Sequence, residues 1–164
     1  GLIHNNRVGA MDADIIHYLR AQGLSDEEIE HGMTKNGGLK GISGVSGDLR
    51  YVLEAAEAGN ERAKLAVDVY VTGIIRYIGA FAAELGGLDC LAFTGGIGEN
   101  SAVIRKMVCE RLEYMGVRLS ARRNTKKKGD RSISKKRSKV RVYVIAANEE
   151  LGVARKTYGC EKNA

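Results

Sequence analysis

The stretch Leu88–Lys106, LDCLAFTGGIGENSAVIRK, decides how the chain is read. LDCLAFT is an apolar run of strand length, and Gly95, Gly96 and Gly98 then place three glycines within four positions. Beyond them Val103, Met107, Val108 and Leu112 recur on one face of a helix. A strand, a glycine turn and a helix start form a context in which free backbone N–H groups can point at an anion, because glycine lets the backbone approach it. A plain strand-to-helix connection has the same signature, and the stretch alone leaves both readings open. Two phosphate motifs are excluded. A P-loop needs Gly-Lys-Ser/Thr after four intervening residues, and no such string occurs. A dinucleotide fingerprint needs a glycine where Ser101 stands and an acid about 20 residues on, where the chain reads SARRN at 120–124. Hydride transfer is therefore disfavoured.

Working outward, GVRLS at 116–120 and KVRVYVIAA at 139–147 read as further strands, and NEELGVARKTYG at 148–159 as a closing helix. Toward the start, residues 48–84 carry a helical pattern broken at Gly59 and Asn60, which end one helix and cap the next. Ala63, Val67, Val71, Ile74, Ile75 and Ile78 mark a long apolar face on the second. KNGGLKGISGVSGDLR at 35–50 is a loop by composition, and MDADIIHYLRAQGLSDEEIEHGM at 11–33 reads as two helices divided at Gly23, with Ser25 opening the second. The alternation of helices with short apolar runs predicts an α/β fold.

At 164 residues and 44% hydrophobic, the chain has the length of one domain with a real core. Its best approach to a membrane span, YVTGIIRYIGAFAAELGG at 70–87, carries Arg76 and Glu84, and the first residues lack the order of a secretory signal. A soluble, cytoplasmic chain with no membrane partner is expected. Cys90, Cys109 and Cys160 have no metal-ligand spacing and read as reduced thiols, with Cys90, inside an apolar run, placed in the core. The net charge of +6 is local: residues 122–141 hold eleven Lys and Arg against Asp130 alone. Removing them from the totals of 26 basic and 20 acidic residues leaves fifteen against nineteen. Residues 122–139 contain no aromatic side chain for base stacking, so a solvated, mobile basic loop is expected and a nucleic-acid partner is disfavoured.

Two further motifs have two readings each. In GISGVSGDLR at 41–50, Ser46 or Asp48 caps a helix, or Asp48 and Arg50 face a cleft and bind a ligand's hydroxyl, ring or phosphate. In VYVIAANEEL at 142–151, Asn148 caps a helix with Glu149 and Glu150 in its first turn, or a carboxylate at the strand's end serves a magnesium ion beside a nucleotide.

Taken in order, SGVSGDLR, FTGGIGENSAVIR and VIAANEELGVAR resemble the acetokinase family, and the likeness runs from about Arg7 to about Tyr158. It covers only the C-terminal portion of a family member. The resemblance implies an actin-like ATPase, ribonuclease H-like α/β fold, with residues 1–164 as a single C-terminal lobe and 122–139 as a basic loop within it. It implies transfer of the ATP γ-phosphoryl group to acetate, or from acetyl phosphate to ADP, with Mg2+, in a homodimer joined through this lobe. The apolar faces at Val67–Ile78 and Val103–Leu112 are the candidate contacts. By position it assigns Asp48, Leu49, Arg50, Gly96, Ile97, Gly98, Glu99 and Asn100 to the nucleotide, Glu149 to magnesium, and Arg7 to the transferring phosphoryl group. Around Arg7, Asn6, Ala10 and Ala13 stand where the family has a threonine, an acid and a proline. The family's N-terminal asparagine, aspartate, second arginine, catalytic histidine and glycine-rich phosphate loop have no match here. The isolated chain is accordingly expected to be weakly active or inactive. A propionate or butyrate kinase lobe is one alternative, and a non-catalytic module that binds an acidic or nucleic-acid partner through residues 122–141 is another.

Overall fold

The computed structural model describes residues 1–126 and 129–161, without the side chains of Glu149, Gly159, Cys160 and Glu161. Where length suggests one domain, the chain divides into two compact units, Gly1–Gly86 and Gly87–Ala164.

The first unit is helical: α1 (Ile15–Ala21), α2 (Asp26–Thr34), α3 (Gly38–Ser43), α4 (Leu49–Glu57) and α5 (Glu61–Glu84). Ser25 and Glu28 close a capping box on α2, and the bonds from Ser25 hold the Glu28 carboxyl below its usual range. Gly59, at φ +97°, ends α4 where a side chain would be strained, and the Asn60 side chain accepts from Ala63 N to start α5. The break expected at Gly59–Asn60 is present. α5 packs against α3 and α4, burying Ala63, Ala66, Val67, Tyr70 and Val71. Arg62 fastens this packing by donating Nε to Ile42 O (2.9 Å) and Nη2 to Gly41 O (2.8 Å). By length and composition α5 is long and apolar enough to cross a membrane.

The loop expected at 35–50 needs correction, because its glycines build α3. The backbone of residues 4–6 lies across the start of this helix, where Leu39 N and Lys40 N donate to His4 O (2.9 Å) and Asn5 O (3.0 Å). Gly38, at φ +58°, abuts the His4 and Arg7 carbonyls so closely that no Cβ fits. The glycines here are for close approach, not for looseness.

The second unit holds a three-stranded sheet ordered β1-β3-β2, from β1 (Cys90–Phe93), β2 (Arg131–Ser132) and β3 (Arg141–Val144). β1 pairs parallel with β3, Phe93 opposite Val144, and β2 pairs antiparallel with β3, Ser132 opposite Tyr143. Val140, Val142 and Val144 are buried and the residues between them are not, the alternation of a strand with one covered face. The crossover from β1 to β3 carries α6 (Gly95–Asn100), α7 (Ala102–Arg111), a short 3-10 turn (Glu113–Met115) and α8 (Ala121–Asn124); α9 (Glu149–Glu161) follows β3.

Four expectations change in this unit. GVRLS forms only two isolated bridges, Val117 to Val140 and Leu119 to Ser134. α7 turns Ile104, Arg105, Val108 and Cys109 inward and leaves Val103 exposed, a face rotated from the one expected. Cys90 is exposed on the edge strand β1, whereas Cys109 is buried and its thiol is pushed up to about 12 by desolvation. The basic segment is in part built into the fold, since most of α8 and all of β2 lie within it and Asn124, Ile133, Ser134 and Ser138 are buried. Lys135, Lys136, Arg137 and Lys139 are exposed while Ile133, Ser134 and Ser138 beside them are buried, a split that charge counting does not register.

Candidate functional site

In the second unit the glycine turn closes into the six-residue helix α6. Gly95, at φ +72°, makes the sharp entry from β1, which a β-carbon would strain. Thr94 gives α6 no side-chain cap, and the turn is closed from inside by Glu99, whose Oε1 accepts from Gly95 N (2.9 Å) and Ala147 N (2.8 Å). One carboxylate oxygen thus joins the start of α6 to the segment that leaves β3. Asn100 Nδ2 donates to Gly96 O (2.8 Å), while Asp130 Oδ1 accepts from the neighbouring Ala146 N (2.8 Å). Asn148 accepts from Leu151 N (3.2 Å), so the helix-capping reading of the NEEL stretch holds.

These bonds leave a cleft of about 410 Å³, lined by Gly96, Glu99, Asn100, Ala147, Asn148 and Glu150 among others. It brings together two motifs 47 or more residues apart in the chain, the glycine turn and the end of the last strand. Gly96, Glu99 and Asn100 line it, whereas Ile97 and Gly98 do not. Glu149, the magnesium candidate, has its side chain outside the described residues, and the neighbouring Glu150 contributes to the lining. Among the described residues no three His, Cys, Asp or Glu side chains gather as a metal cage. The oxygens that are present suit a magnesium ion that arrives on a phosphate and keeps most of its waters.

In the first unit, Asp48 caps α4 by accepting Arg50 N at Oδ1 (2.9 Å), and the Arg50 guanidinium folds back on both carboxylate oxygens. The Arg50 side-chain bond, then its backbone N–H, holds the Asp48 carboxyl down at about 2. Asp48 lines a polar cleft of about 430 Å³ with Asn5, Asn6, Lys40, Ser46 and Gly47. Arg7 is exposed beside this group, on the backbone that α3 seats. Leu49 is buried, so within its triplet Asp48 and Arg50 carry the accessible polar atoms.

The structure also singles out Arg105 and Asn124, both buried, which motif reading passed over. A signal was available: Arg105, Val108, Cys109 and Leu112 fall at i, i+3, i+4 and i+7, so helical spacing puts an arginine on the buried face.

Comparison with known proteins matches the acetokinase family model to residues 1–155. The acetate kinase of Syntrophomonas wolfei is 42% identical over 163 residues, covering 99% of this chain and 41% of that protein. The crystal structure of Porphyromonas gingivalis acetate kinase superposes with a TM-score of 0.86 at 41% identity, over 97% of this chain and 40% of that one. That of a Francisella tularensis propionate kinase gives 0.83 at 36%, over 92% and 38%. The chain spans about two fifths of the length of these relatives. Its mixed α/β architecture is that of their actin-like ATPase fold, and by sequence and by structure the chain belongs to the acetokinase family.

Proposed function

We propose that this chain is the nucleotide-binding lobe of an acetate kinase, acting in phosphoryl transfer between ATP and acetate. Both compact units are assigned to that lobe. The observation that supports it best is the cleft of the second unit, where the turn at 95–100 and residues 147–150 meet around a polar hollow. In the proposed reaction a carboxylate oxygen attacks the γ-phosphorus, the bond to the ADP oxygen breaks, and acetyl phosphate leaves. Magnesium would screen phosphate charge, with Glu149 and Glu150 the carboxylates that would hold it or its waters. Asp48 and Arg50 serve the nucleotide, Gly96, Ile97, Gly98, Glu99 and Asn100 its adenosine and phosphate end, and Arg7 the transferring group. The acyl pocket that separates acetate from propionate or butyrate is assigned outside this chain.

Phosphoryl transfer depends on positioning and charge stabilisation, and one arginine clamp is worth roughly 10³ to 10⁵ in rate in other such enzymes. A chain without the family's N-terminal clamp residues is therefore expected to bind nucleotide weakly and to turn over little, if at all. A cytoplasmic homodimer fits the family. For its contact the exposed Leu65, Tyr77 and Phe81 of α5 are better placed than Val67 and Val71, which are buried.

The test is a thermal-shift titration with Mg-ATP and Mg-ADP beside Asp48→Ala. A ligand at a hundredfold excess over its Kd stabilises the folded state by about 2.7 kcal/mol. A shift in the parent chain that is diminished in the variant supports the reading; no shift up to millimolar nucleotide overturns it.

A further inference from the structure

Arg105 is 2% exposed, and its four hydrogen bonds among the described residues all go to uncharged oxygens. Nη1 donates to Gly98 O and Glu99 O (2.8 Å each), Nε to Asn124 Oδ1 (2.7 Å) and Nη2 to Asn124 O (2.7 Å). Asn124 completes the knot by donating Nδ2 to Ala102 O (2.8 Å). A buried guanidinium with no carboxylate partner among the described residues is costly to keep, and an apolar side chain of similar size would pack there more cheaply. What an apolar residue cannot do is hold two successive carbonyls at the end of α6 while gripping α8 with the other edge of a planar fork.

The turn at 95–100 needs such a hold. A helix of six residues is marginal alone, and three of its residues are glycine. Its entry is tied by Glu99 to Gly95 N and Ala147 N, and its exit by Arg105 to Gly98 O and Glu99 O. Of the cleft wall, Gly96 lies between those two ties, Glu99 takes part in both and Asn100 follows the second directly.

We propose that Arg105, braced by Asn124, is a positioning residue that holds the 95–100 turn in the shape the cleft requires. The basic segment then has a part in the site, because Asn124 and Asp130 belong to it. The ligand-binding half of this proposal rests on the nucleotide reading above, and the turn-holding half does not.

The experiment uses the whole chain as Arg105→Lys, Asn124→Ala and the double variant, with amide exchange by mass spectrometry and Mg-ADP titration calorimetry. Lysine keeps the charge and loses the fork. Expected is exchange at least tenfold faster for residues 95–101 without nucleotide, β3 amides unchanged, and Mg-ADP affinity at least tenfold weaker. The double variant should be no worse than the more affected single one, because both substitutions break one unit. Exchange that rises equally across α7 and β3 means the pair only supports the unit, and exchange at 95–101 that stays at the parent level means it does not hold the turn; either overturns the proposal. If the parent chain binds no Mg-ADP, the nucleotide reading fails while the exchange result still decides the holding role. Should Arg105→Lys not fold, Asn124→Ala carries the same comparison.

Discussion

Asp48 shows how much one side chain accomplishes in the first unit: it starts α4 and anchors the Arg50 guanidinium. Its carboxyl is held at about 2, below the 3.8 of an unperturbed aspartate. The bonded, ionised form therefore contributes stability that is complete above about pH 4 and is lost as pH falls through about 2. Asp48→Asn should flatten the acid limb of the melting curve between pH 4 and 2 and leave its slope near neutrality unchanged. Cys109 gives the opposite sign. Its thiol is held neutral to about 12 by burial, so stability falls as pH rises above about 9, where the unfolded thiol ionises. With a thiol reagent, Cys90 should be modified in the native chain and Cys109 only after denaturation, and equal native rates would contradict the burial.

At the scale of elements, the caps and the α7 interior can be tested separately. Asn60→Ala removes the side chain that accepts Ala63 N and should cost about 1 kcal/mol in urea denaturation. Leu112→Ala, at a fully buried position just after α7, should cost about 2–5 kcal/mol. Gly38→Ala puts a methyl against the His4 and Arg7 carbonyls at a positive φ, with a penalty of about 1–3 kcal/mol from backbone strain alone. It should also release residues 4–9, read as faster amide exchange around Arg7. Helix starts were legible because Ser25, Asp48 and Asn60 act within three residues of themselves. α3 was not, since the groups that complete its first turn, the carbonyls of His4 and Asn5, are over thirty residues away.

At the scale of the whole molecule, the described residues form a polar cleft in each compact unit, and the chain covers about two fifths of its relatives. Purified alone it should form little or no acetyl phosphate from Mg-ATP and acetate in a coupled assay; robust turnover would show that the N-terminal clamp is dispensable. What the sequence determined by itself was whatever short-range chemistry or an ordered set of motifs specifies: the α/β alternation, the helix caps, the strand at Cys90–Phe93 and the family. The tertiary structure decided which caps form, which motifs share a cleft and which residues stand behind them. It set Glu99 between Gly95 and Ala147, drew the basic segment inward at Asn124 and Ile133, exposed Cys90, and gave the charged Arg105 an interior place. Burial and long-range hydrogen bonds decide these, since a residue's partners across 19 or 48 positions are chosen by how the elements pack and leave no period in the sequence.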